Sequence, residues 1–332
     1  MLELHPGEIS VKNDLKQPLV KNLPFRPLAG LSSPHIQTIL ACLTPSGEPP
    51  PSASFLIPLD DGDVLTCEIS TPSQWQETEK TIALIHGLGG NHRSSYMIRV
   101  SRKLYEAGYR TIRINMRGCG SENEIDAKRP YHGGISQDAL AAVKKIKQDT
   151  PLSPLILVGF SLGGNIALKL AGELGEIGPS LLHSTIAICP PVDLAETARL
   201  IGQPSNILYN RYYMRQLERV AKRWIKNKTL SNIFEYDNMI TAPQWGFQSA
   251  ADYYRKCSSC FLLPNIKHPC HLLFSADDPF INYKSSLVEP MSSFVNIWLS
   301  PFGGHMGFFG WTGKNHGCYW LDSILLKWIS EF

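Results

Sequence analysis

Ser161 stands at the centre of Gly159-Phe160-Ser161-Leu162-Gly163, with a glycine two residues away on each side. A serine held on a sharp strand-to-helix turn needs neighbours without a Cβ, because a side chain at either place would crowd the turn. The apolar run Leu155 to Phe160 reads as the strand, and the pattern from Gly163 to Leu174 reads as the helix. That context makes Ser161 a candidate nucleophile. A second glycine-rich turn, His86-Gly87-Leu88-Gly89-Gly90, ends the buried-strand run Thr81 to Ile85. Its backbone N–H at Leu88 and that of Leu162, the residue after the nucleophile, are candidate donors to the oxyanion of a tetrahedral intermediate.

A base and an acid follow in order. After the strand-like run His271 to Ala276 come Asp277, Asp278 and Pro279; past another strand at Asn296 to Ser300 come Gly303, Gly304 and His305. The order serine, aspartate, histidine differs from the chymotrypsin and subtilisin orders for the same relay. His305 would take the serine proton, and a carboxylate would fix its tautomer. Residues leaving a strand point to opposite sides, so only one of Asp277 and Asp278 can face His305, and the spacing leaves both open. Among the other histidines, His86 reads as a brace for its own turn and His271 as structural. Cys257-Ser258-Ser259-Cys260 has zinc-like spacing but no second well-spaced pair, so no metal is expected. P-loop and dinucleotide fingerprints are missing from the sequence, and no cofactor is expected.

These groups need a scaffold. Phe55 to Pro58 and Val64 to Ser70 flank an Asp-Asp-Gly-Asp turn and predict an antiparallel hairpin. Strands at Tyr109 to Asn115 and Ser184 to Cys189 then alternate with helices at Tyr96 to Ala107, Ile135 to Lys147 and Gly163 to Leu174. Alternation of this kind predicts an α/β fold with a mostly parallel central sheet and helices on both faces. Residues 1–332 are expected to form a single domain. Within it, 1–50 form a proline-rich arm with a short helix at Ile36 to Ala41, and 193–267 form a helical cap insertion. Two cap helices are expected at Leu208 to Tyr213 and Gln216 to Lys226, and the aromatic residues of the cap are expected mostly to pack it, with a minority lining an apolar acyl pocket.

Composition excludes other classes. A net charge of +3, with 43% hydrophobic and 18% charged residues, gives no footprint for a nucleic-acid partner. The basic run Lys222 to Lys228 reads as a solvated helix face. Eight cysteines in a chain of 332 residues do not form a secreted disulfide framework, which points to a reducing, cytoplasmic setting. No export signal or transmembrane segment is expected, and the oligomeric state stays open.

Several stretches together resemble the YheT-like α/β-hydrolases, whose animal relatives are lipid-directed. They are Leu31 to Thr38, His86 to Gly90, Asn115 to Gly120, Tyr131 to Gly134, the turn around Ser161, Phe247 to Tyr254, Ala276 to Phe280, and Gly303 to His305. The resemblance spans nearly the whole chain. It implies the α/β-hydrolase fold and serine-hydrolase activity on esters, with Ser161, Asp278 and His305 as the relay. The expected activity is hydrolysis of carboxylic esters of small or medium acyl chain through an acyl-enzyme. A lipase or acyltransferase acting on lipid at a membrane surface is the alternative within the class, and a non-catalytic hydrolase-fold binding module is the alternative outside it.

Overall fold

Alternate residues along the central strands are apolar on both sides, which commits them to a sheet covered on two faces. In the computed structural model, described over residues 15–120, 127–221, 224, 230–288, 290–312 and 317–332, eleven strands form. They are β1 (Leu15–Lys16), β2 (Val20–Asn22), β3 (Ala53–Pro58), β4 (Val64–Ser70), β5 (Thr81–Ile85), β6 (Arg110–Asn115), β7 (Leu155–Phe160), β8 (Ser184–Ile188), β9 (Cys270–Ser275), β10 (Met291–Ser292) and β11 (Val295–Ser300). Nine of them make one sheet in the order β2-β11-β9-β8-β7-β5-β6-β4-β3. Pairing is parallel from β2 across to β6 and antiparallel for β6 with β4 and β4 with β3.

Eight helices matter to the site: α1 (Pro34–Leu43), α2 (Ser95–Glu106), α3 (Ser136–Asp149), α4 (Leu162–Leu174), α5 (Leu194–Ile201), α6 (Ile207–Ala221), α7 (Ala250–Cys257) and α8 (Trp320–Glu331). The strand period of two divides the core. Ile82, Leu84, Ile156 and Val158 face α2 and α8, while Ala83, Ile85, Leu155 and Leu157 face α3 and α4. Between β8 and β9 the alternation stops, and α5, α6 and α7 form with short helical turns between them. No helix among the described residues is long and apolar enough to cross a membrane.

The structure differs from expectation at two places. The segment before β3 carries two short strands beside its helix: β2 extends the large sheet beside β11, and β1 pairs with β10. Three residues are too few to show periodicity, so pairing and not pattern defines that strand. Leu208 to Tyr213 and Gln216 onward form one helix, α6, because Met214 and Arg215 between them favour helix and no breaker intervenes. Of the basic run Lys222 to Lys228, only Trp224 belongs to the described residues.

Candidate active site

The turn at Ser161 is as tight as its glycines imply. Ser161 has φ 50° and ψ −120°, a left-handed backbone that few serines adopt. A Cβ on Gly159 would lie 2.2 Å from the Gly163 carbonyl oxygen, and one on Gly163 would lie 2.5 Å from the backbone oxygens of Ile85 and His86. Any side chain at either position would push β7, α4 and the β5 turn apart. Backbone bonds lock the turn: Ser161 N–H donates to Ile188 O at 2.8 Å, and Ser161 O accepts from Gly164 N–H at 2.8 Å.

His305 Nε2 lies 2.9 Å from Ser161 Oγ, and its Nδ1 lies 2.8 Å from Asp278 Oδ2. Oδ1 of Asp278 accepts from the N–H groups of Phe280 and Ile281, at 3.1 and 2.9 Å, which fixes the carboxylate plane. The Phe280 ring stands 4.4 Å from the His305 ring, centroid to centroid. Asp277 turns the other way: its Oδ1 accepts from Gly304 N–H at 2.9 Å and from the Ser275 hydroxyl, so it ties the end of β9 to the histidine loop.

That loop is held by α1, which carries its faces inverted. Gln37 and Thr38 are buried, while Ile36 and Ile39 are each 41% exposed and Leu43 is 71% exposed. Thr38 Oγ1 accepts from His305 N–H at 2.8 Å and donates to Pro34 O. The Gln37 amide donates to Leu31 O and Phe309 O and accepts from Phe309 N–H. Gly304, at φ 54°, runs so close to α1 that a Cβ there would lie 2.2 Å from Pro34 O. Gln37 and Thr38 are therefore positioning residues that the sequence reading did not assign. Two uncharged polar residues flanked by isoleucines were the available signal.

The His86 turn is braced from within. His86 Nδ1 pairs with Gly87 O at 2.8 Å and its Nε2 accepts from Met116 N–H at 3.1 Å. Gly87 N–H donates to the Tyr96 hydroxyl and Gly89 N–H to the Tyr131 hydroxyl. No intramolecular acceptor meets the N–H of Leu88 or Leu162 among the described residues.

Two hollows meet at Ser161. A mostly apolar chamber lies under α5, α6 and α7, with Leu88, Ser161, Leu162, Ile201 and Leu217 in its wall. An open groove between α1 and α6 is lined by Leu88, Ser161 and His305, together with Ile39, Leu43 and Leu208. Cys257 and Cys260 belong to no group of three ligating side chains among the described residues. Among the described residues, only Cys189, Asp278 and His305 bring three groups of ligating type within 4.8 Å of one another.

Burial keeps several histidines neutral. It lowers His86 and His268 from about 6.5 to about 4, and His132 to about 3. The folded values lie below the unfolded value, so as pH falls below 6.5 the unfolded chain takes up protons first. Their stabilisation is complete above pH 6.5 and drains away toward pH 4, by about 3 kcal/mol for His86 at 1.36 kcal/mol per unit. Asp237 works in the opposite sense: burial raises its carboxyl to about 6, and protonation relieves it. Three histidines outweigh one aspartate. Thermal unfolding is expected to show the melting temperature falling steadily from pH 7 to pH 4.5; a constant value would mean that these rings are not neutral in the fold.

The chain is similar to proteins of one kind. The α/β-hydrolase fold family matches residues 80–230. YheT of Escherichia coli (strain K12), which carries an esterase name, is 28% identical over 93% of each chain. The monoacylglycerol lipase of Saccharomyces cerevisiae is 24% identical over 77% of this chain and 60% of its own. Human phospholipase ABHD3 is 25% identical over 81% and 67%. Among solved structures, 2,6-dihydroxy-pseudo-oxynicotine hydrolase superposes with a TM-score of 0.59 at 17% identity, covering 90% of this chain and 71% of its own. Est1E from Butyrivibrio proteoclasticus superposes at 0.55 and 15%, covering 84% and 98%.

Proposed function

We propose, from the premise that the chain belongs to the YheT-like α/β hydrolases, that it is a serine hydrolase cleaving carboxylic esters of small or medium acyl chain through an acyl-enzyme. The observation that carries this reading is His305, hydrogen-bonded to Ser161 Oγ through one ring nitrogen and to Asp278 through the other.

In this mechanism Ser161 Oγ attacks the ester carbonyl carbon while His305 Nε2 takes its proton, and Asp278 stabilises the imidazolium. The carbonyl π electrons move to oxygen, which the Leu88 and Leu162 N–H groups receive. Collapse breaks the bond to the alkoxy oxygen, to which His305 returns the proton. Water then repeats the sequence on the acyl-enzyme, releasing acid and restoring Ser161. Since the departing oxygen must face His305, and of the two hollows described His305 lines the α1–α6 groove, the alcohol half occupies that groove. The acyl half occupies the chamber under the 193–267 segment, which acts as a cap, while the 1–50 segment acts as an arm holding the histidine loop. Eight cysteines, none of them in a disulfide, support a cytoplasmic place.

Labelling with a fluorophosphonate probe tests the reading. The purified protein should be modified at Ser161 and lose ester hydrolysis in proportion. A protein that neither reacts nor turns over esters is not a serine hydrolase. A lipid ester presented at a surface is the second reading, favoured by exposed Ile39, Leu43 and Leu208 at the groove. Activity that rises steeply when the ester is supplied in vesicles and not as monomer would select it.

A further inference from the structure

Asp237 is a buried carboxyl in the wall of the acyl chamber, 8% exposed. It begins a single π-helical turn, Asp237–Thr241, a local irregularity that often accompanies functional sites. Thr241 Oγ1 donates to its Oδ1 and the Tyr254 hydroxyl to its Oδ2, each at 2.7 Å. No ion pair reaches it among the described residues. A carboxyl taken out of water is costly unless its charge is paired or its hydrogen bonds are complete, and two hydroxyls complete neither state. Ionised, it keeps free lone pairs and an unneutralised charge; protonated, its own O–H needs an acceptor. Burial lifts it to about 6, so it is mainly ionised at neutral pH. Two more polar groups share the wall. The Tyr236 side chain lines it too, and its hydroxyl makes no hydrogen bond among the described residues. His132 accepts from Gly134 N–H at Nδ1, which leaves its ring proton on Nε2.

An apolar chamber built only for a plain alkyl chain gains nothing from such a wall. A chain ending in a hydroxyl would donate to Asp237 and could accept in turn from a neighbouring donor, while its methylenes fill the apolar remainder. We propose that Asp237 is a specificity-determining residue, and that the chamber selects acyl groups carrying a hydroxyl at their far end over plain alkyl chains. The inference rests on the ester-hydrolase reading above and narrows it.

The experiment compares kcat/KM for p-nitrophenyl esters of straight-chain acids with that for the ω-hydroxy acids of the same length, over a graded series. At the length that reaches Asp237, the hydroxyl-ended ester should be preferred by about 10- to 100-fold, the range for a hydrogen bond to a charged group. Asp237→Asn keeps the size but exchanges an acceptor for a donor, and it should bring that ratio close to one. A ratio taken within one preparation is insensitive to the fraction of enzyme folded. Equal or better turnover of plain esters at every length overturns the inference while leaving the hydrolase reading intact, as does an unchanged ratio in the variant. No turnover of any ester overturns both.

Discussion

Ser161→Ala should lower kcat for ester hydrolysis by about 10⁴- to 10⁶-fold with the melting temperature nearly unchanged. Chemistry and fold separate cleanly at this position because everything that holds the turn is backbone. Ser161 N–H bonds to Ile188 O, Ser161 O accepts from the first turn of α4, and alanine keeps each of these bonds. The left-handed backbone costs alanine about what it costs serine. What disappears is the oxygen 2.9 Å from His305 Nε2. Initial rates on a p-nitrophenyl ester, measured beside thermal unfolding, test this, and near-normal turnover by a folded variant would remove Ser161 from the mechanism.

The tandem aspartates should diverge when each is changed to asparagine. In Asp278→Asn the amide oxygen can keep the Phe280 and Ile281 N–H groups, which turns the NH₂ toward His305 Nδ1. Nδ1 must then offer a lone pair, so the ring proton moves to Nε2, where the serine proton has to go. The expected loss is about 10⁴-fold in kcat with little change in stability, as wrong-tautomer variants of such relays show. In Asp277→Asn the amide oxygen can still accept from Gly304 and Ser275. Its NH₂, however, replaces Oδ2, a buried atom without a partner, and a buried unpartnered donor costs about 1 to 2 kcal/mol. That variant should melt earlier and keep kcat within about tenfold. Steady-state rates and melting curves for the pair decide the matter, and the reverse pattern would make Asp277 the acid.

How much of this was legible in the sequence depends on what kind of signal each part carries. Strands β5 and β7 were readable to the residue, because a run buried on both faces is apolar throughout and ends at a glycine turn. Ser161 was marked by the steric demand of its own turn, and His305 by flanking glycines that a contorted loop requires. The alternation of a strand allowed only one of two aspartates to face His305 but could not say which one. The work of α1 was invisible for a different reason. Amphipathic reasoning expects isoleucines inside, whereas this helix exposes Ile36 and Ile39 and buries Gln37 and Thr38 for the sake of loop carbonyls and N–H groups some 270 residues away. Tertiary hydrogen bonds of that reach leave no periodic trace. The polar wall at Asp237 was hidden similarly, since aromatic residues at helical spacing read as packing whether or not a carboxyl stands among them.

The bond from His305 N–H to Thr38 spans 267 positions along the chain. A contact of such high sequence separation carries a loop-closure cost that contacts between nearer strands do not, so it is expected to form after them. On a ribosome, the turn at Ser161 and the loop at His86 can fold long before residue 305 has been made, but the base has nothing to stand on until α1 and the β11 loop meet. The proposed nucleophile would therefore be assembled early and armed last. A serine poised before the sheet is closed would be a reactive group on a half-folded chain; in the proposed hydrolase that reactivity would be reserved for molecules whose topology is already complete.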